Sequence, residues 1–93
     1  MVIQMKLKLA QFYNYHKHYK DAEYLYILCI DFNLIKYGDK HIDTIKVMYE
    51  LGLNYEVQGK LVEAESIFSH SLDESKRLLG DSHKGINYIY INI

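Results

Sequence analysis

The stretch YGDKHID, residues 37–43, returns 42 residues later as LGDSHKG, residues 79–85. Sliding the chain by the same interval pairs Leu9 with Leu51, Tyr13 with Tyr55, Ala22 with Ala64, Glu23 with Glu65, Gly38 with Gly80, Asp39 with Asp81 and His41 with His83. Near matches fill the gaps, among them Leu25 with Ile67, Tyr26 with Phe68 and Ile30 with Leu72. A fixed period of this size marks a stacked repeat, in which each unit buries its apolar face against a neighbour. The Gly-Asp-x-His phrase therefore reads as punctuation between units.

Inside each period the apolar spacing is helical. Met48, Leu51, Gly52 and Tyr55 fall at i, i+3, i+4 and i+7, and Ala64, Ile67, Phe68, Ser71 and Leu72 follow the same rule. Each unit is thus predicted to be a helical hairpin. Its inner turn falls at Gln58-Gly59-Lys60, where Gly59 closes a helix in the left-handed conformation, and His18 with its neighbours covers the equivalent place. At the outer turn, Gly38 or Gly80 stops one helix and the following aspartate caps the next. Small residues at matching positions, Ala10 with Gly52, Ala22 with Ala64 and Cys29 with Ser71, mark where helices approach closely. Tyr13 with Tyr55 and Tyr26 with Phe68 fill the space beside them.

The expected fold is all-α, a right-handed superhelical stack of antiparallel helical hairpins forming a single domain over residues 1–93. Repeat 1 covers about 1–40, repeat 2 about 41–82, and a truncated third repeat about 83–93. The last stretch, GINYIYINI, alternates and is rich in isoleucine and tyrosine, which locally favours a strand. The repeat register instead places it in the first helix of a third unit, and we follow the register. Core surface left open by a half-finished unit leads to an expectation of self-association, or of a longer parent chain.

Composition narrows the function classes. A chain of 93 residues with 49% hydrophobic and 25% charged content suits one globular unit. A formal net charge of -1 argues against nucleic-acid binding, because phosphate contacts need Lys and Arg gathered on one face. No run approaches the ~18 to 20 apolar residues of a membrane span, and MVIQMKLKLA lacks the apolar centre of a secretory signal. One cysteine, Cys29, builds no internal disulfide, which fits an intracellular, reducing compartment, cytoplasmic by default.

These features resemble the tetratricopeptide repeat (TPR), an α-solenoid family of protein-binding scaffolds. The small-and-large signature stands in LGLNY at 51–55, Ala64, Phe68 and Ser71, and again in LAQFY at 9–13, Ala22, Tyr26 and Cys29. The period exceeds the ~34 residues of the basic repeat and, with the link YGDKHIDT at 37–44, is similar to the extended form of kinesin light chains. The chain departs from that form in having no proline: Ile42 and Lys84 stand after the link histidines. A narrower likeness, carried by LKLAQFY, YLYILCI and LGDSH, is to mitochondrial TPR proteins that assist assembly of respiratory complex III. It implies an alternative location at the mitochondrial inner membrane or matrix.

The resemblance also implies a concave groove lined by the first helix of each repeat. Carried over residue by residue, it falls on Gln4, Leu7, Gln11, Asn14 and Tyr15, and on Lys46, Tyr49, Leu53, Glu56 and Val57. Chaperone-binding relatives clamp a terminal carboxylate with Lys and Asn at two of these positions, where this chain has Leu7 and Gln11, then Tyr49 and Leu53. An apolar, aromatic groove instead suits a helix or extended segment of a protein or peptide partner. A peptide-sensing regulator is the alternative within this family.

No catalytic, metal or cofactor site is expected. His16 and His18 stand two apart, which aims them in different directions on a helix, and His70 reads as solvated. Cys29 pairs by repeat with Ser71 and reads as packing. Asp73 and Glu74, ahead of Lys76 and Arg77, read as a solvated face.

Overall fold

The computed structural model of the chain describes residues 3–38 and 42–79. Every regular element among them is helical: α1 (Ile3–Tyr15), α2 (Tyr19–Tyr37), α3 (Ile42–Val57) and α4 (Leu61–Leu79). The expected third-repeat segment, the second link at Gly80-Asp81 and the residues Asp39, His41 and His83 lie outside the described residues.

The two inner turns share one geometry, bond for bond. After α1, His18 N donates to the Tyr13 carbonyl at 2.8 Å and Lys17 N to that of Asn14 at 3.1 Å. After α3, Lys60 N donates to Tyr55 at 2.8 Å and Gly59 N to Glu56 at 3.0 Å. This crossed pair of bonds satisfies the last carbonyls of each helix and needs a left-handed residue at its centre. Gly59 supplies it at φ 81°, and Lys17, 42 positions earlier, is forced into it at φ 66°. Gly38 ends α2, also at positive φ (82°), and its N–H bonds to Leu34 at 3.0 Å. Thr44 Oγ1 then donates to the Gly38 carbonyl at 3.3 Å, tying α3 to the end of α2.

The helices pack in chain order, α1 on α2, α2 on α3 and α3 on α4. Ala10, Ala22, Cys29, Gly52, Ala64 and Ser71, the small residues of the repeat, are all buried. A Cβ at Gly52 would lie too close to Phe68 Cε1 to fit unless the ring shifts, so the approach of α4 to α3 here favours glycine. Tyr26 and Leu51 are buried, while Leu9, Tyr13, Tyr55 and Phe68 are partly buried at the margins. The core joins Ala10 of α1, Ala22, Tyr26, Cys29 and Ile30 of α2, and Val47, Met48 and Leu51 of α3. Its centre is thus the junction of the two hairpins, built from both.

Glu74 is not on a solvated face but 3% exposed, one turn beyond buried Ser71 and beside buried Ser75. Residues three apart share a helix face, so the inward side of α4 carries Glu74 with Ser71. Its Oε1 accepts from the exposed Arg77 at 3.2 Å, and Oε2 is buried with no hydrogen-bond partner among the described residues. The hydroxyls of Ser71 and Ser75 bond back to the Phe68 and Leu72 carbonyls at 3.0 and 2.9 Å, which lets them occupy the interior.

Candidate partner-binding surface

The residues carried over as groove positions fall into two groups. In the first hairpin, Leu7 packs against the core, Gln11 Nε2 donates to Glu50 Oε1 at 2.9 Å, and Asn14 Oδ1 accepts from Asn54 at 2.9 Å. These side chains are engaged by α3, while Tyr15 at the end of α1 is 83% exposed. In the second hairpin, Tyr49, Leu53 and Glu56 line a cleft of about 500 Å³ that opens between α3 and α4. Leu61, Phe68 and Leu72 form its other wall. Tyr49 packs at an angle against Phe68, ring centroids 5.3 Å apart, which fixes the aromatic floor. Leu53 and Leu61 at the rim are 37% and 63% exposed. Lys46 is half-buried one turn before Glu50.

What fills the same surface in the first hairpin is visible. Asn54, fully buried on α3, donates both to Asn14 Oδ1 and to the Tyr19 carbonyl, each at 2.9 Å, and accepts from Gln58 Nε2 at 2.7 Å. Farther along, Gln58 and Lys60 both reach Glu23 Oε1 at 2.9 Å. Burial alone would raise the Glu23 carboxyl, but these donors outweigh it and hold it below the ordinary carboxylate value. Glu50 accepts from Gln11, but there burial wins, so its carboxyl lies above the ordinary value despite the nearby charge of Lys46. The α2 wall of the first hairpin is thereby closed by a band of polar contacts from α3 and the turn that follows it.

Sequence reasoning missed this band. Asn54, Glu50, Gln58 and Lys60 correspond by the repeat to Phe12, Lys8, His16 and His18. The signal was a change of character at fixed repeat positions, most clearly Phe12 against Asn54 in the otherwise apolar LGLNY.

Cys29 is buried, and burial pushes its thiol above the usual value, away from the nucleophilic thiolate. Among the described residues no three His, Cys, Asp or Glu side chains gather where they could hold a metal ion. No helix among them is long and apolar enough to cross a membrane. Neither a protein-family model nor a curated protein sequence matches the chain.

Proposed function

We propose that the chain is a non-catalytic protein-interaction module of the tetratricopeptide type, two hairpins of a right-handed superhelical stack, that holds a partner against the Tyr49–Leu53 face. The observation that carries this reading is the cleft between α3 and α4, an aromatic floor of Tyr49 and Phe68 with Leu53 and Leu61 exposed at its rim. Apolar anchors in a concave site, rimmed here by Glu56 and Glu65, are the composition that recognises a helix or extended segment of another protein. The test is a photo-crosslinking residue at Leu53 in cells, with each captured protein then titrated against purified wild type and the Tyr49→Ala/Leu53→Ala variant. The reading predicts at least a ten-fold loss of affinity with helicity unchanged. A folded double variant that binds every captured protein as the wild type does overturns it.

A further inference from the structure

The first 20 residues carry four lysines, Lys6, Lys8, Lys17 and Lys20, and no carboxylate, whereas the rest of the chain carries all 12 carboxylates against seven Lys and Arg. The fold gathers this charge with exposed rings. Met5, Lys8, Phe12, Tyr15 and His16 stand three and four residues apart, so they share the outward face of α1. All five are exposed, Met5, Phe12 and Tyr15 by 56%, 55% and 83%. Phe12 and Tyr15 both contact the His16 ring, at centroid distances of 4.3 and 5.2 Å. Lys17, His18 and Lys20, in the turn and the start of α2, are exposed beside them. Glu50, which meets α1 through Gln11, is half-buried, and Glu23 is held by Lys60 and Gln58.

Lys17 is distinguished a second time, by its backbone. It holds φ 66° in the same crossed-bond turn where the second hairpin has Gly59 at φ 81°. Glycine takes this conformation freely, whereas an L side chain is strained there, and strained residues cluster where a side chain has a task. The Lys17 side chain is exposed, so packing does not explain why a lysine stands in glycine's place.

We infer that this face of α1 and its turn adsorb to an anionic phospholipid surface. Met5, Phe12 and Tyr15 enter the boundary between headgroups and acyl chains, and Lys8, Lys17 and Lys20 lie against the phosphates. The face shares no residue with the α3–α4 cleft, so it stands whether or not the cleft holds a protein. Charge complementarity selects an anionic partner, and residue type selects a lipid. Every cation in the cluster other than histidine is a lysine, a compact charge on a flexible stem that suits phosphates in a fluid layer; a fixed phosphodiester or carboxylate favours the bidentate fork of arginine. Met5 offers no ring to a nucleic-acid base but partitions readily into the acyl boundary.

The test is flotation of the full chain with phosphatidylcholine vesicles that contain or lack phosphatidylserine. The wild type should float with the anionic vesicles, stay behind with the neutral ones, and be released by high salt. Each lysine at an anionic surface accounts for about a five-fold change in partition, so Lys8→Gln/Lys17→Gly should lower it about 30-fold. Phe12→Ser, which removes an apolar anchor, should lower it about ten-fold. Lys17→Gly alone separates binding from folding: it should raise Tm, because the turn loses a strained side chain, and lower partition about five-fold. All three sites are exposed, so each variant is expected to keep wild-type helicity by circular dichroism.

A wild type that stays behind with anionic vesicles overturns the inference, and so does one that floats equally with neutral vesicles. Folded variants at Lys8, Lys17 or Phe12 that float as the wild type does overturn it as well. If the chain ignores vesicles but the same lysines retain single-stranded poly(U) or a poly-glutamate peptide, the partner is a nucleic acid or an acidic protein and the lipid assignment has failed. Tyr49→Ala/Leu53→Ala leaves this face intact and should float as the wild type does. Loss of flotation in that variant would place the lipid contact at the cleft and overturn the inference.

Discussion

Helices α1 and α3 hold the same place in their hairpins and end in the same turn, yet among the described residues α3 packs between α2 and α4, whereas α1 packs on α2 and meets α3 through side-chain hydrogen bonds on one side. The difference is written on one side of each helix. Val47 and Asn54 are buried and Glu50, Gln58 and Lys60 half-buried, whereas their counterparts Met5, Phe12, Lys8, His16 and His18 are all exposed. The side that packs within the hairpin is alike in both, with Ala10 and Gly52 buried against the second helix. Intrahairpin packing is therefore a property of the repeat, and packing between hairpins is a property of the individual copy.

The largest expected effect follows from Asn54. Replacing it by Ala removes a buried side chain, takes away its bonds to the Asn14 Oδ1 and the Tyr19 carbonyl, and leaves Gln58 with only its bond to Glu23. A buried polar group left unpaired costs about 1 to 3 kcal/mol, so Asn54→Ala should lose on the order of 3 kcal/mol. Phe12→Ala, at the same repeat position, should change stability by less than about 0.5 kcal/mol in dilute solution. Urea denaturation of both variants checks the pair. Equal losses would mean the two helices are not distinguished by their outer sides.

Gly52 gives the next effect, within the hairpin. Alanine there would gain about 1 kcal/mol of helix propensity, but its Cβ would clash with the edge of the Phe68 ring. Overpacking of this kind costs about 1 to 3 kcal/mol, so Gly52→Ala should be destabilising by about 1 kcal/mol net. Adding Phe68→Leu should recover most of the loss by opening the ring's place. Ala10, at the same repeat position, already carries a Cβ and sits fully buried. The difference between the hairpins thus lies in how α4 sets its ring, and thermal melts of the single and double variants measure it.

What was legible in the sequence follows the same division. The helices, the stop at Gly38 and the six small positions could be read because two copies repeat them, and repetition cancels the accident of any single residue; Gly59 could be read from glycine's own freedom at positive φ. Lys17 in the left-handed conformation was not readable from its own propensity; only its place opposite Gly59 reveals it. The polar band of Asn54, Glu50 and Gln58 was invisible to repetition, since its residues have no counterparts of like chemistry. Glu74 was misjudged because a charge beside Lys76 and Arg77 suggests solvent, and its burial is set by a helix face that it shares with Ser71.

Glu50 makes the polar band sensitive to pH. Its folded carboxyl lies above the ordinary value, burial being the main cause and Gln11 the opposing one. Above the unfolded value of about 4.3, the folded chain therefore holds more proton at this site than the unfolded chain, and stability falls as pH rises through the folded value. Glu50→Gln keeps an oxygen to accept from Gln11 and removes the charge. Its Tm should exceed that of the wild type at neutral pH, and the gap should close as the pH is lowered to the unfolded value. The matching change at the exposed counterpart, Lys8→Gln, should show no such window. A constant gap across the titration would mean that the burial of Glu50 does not govern its charge.

The smallest effect concerns Glu23, whose shift runs the other way. Burial raises its carboxyl, but Lys60 and Gln58 together lower it further, so its contribution is present above about 4.3 and is lost as the pH falls through the folded value. The Lys60 side chain is 36% exposed, and an ion pair so open to solvent contributes little and is screened by salt. Lys60→Met, which keeps the stem over the Tyr55 ring while removing the charge, should therefore lower Tm less than any change above, and less still in high salt. Glu23→Gln should cost more than Lys60→Met, because Gln58 also donates to the same oxygen and would lose the charged acceptor. If the two losses are equal and salt abolishes both, then Gln58 adds nothing at this site. The closure of the first hairpin by α3 would then rest on Asn54 and the apolar core alone.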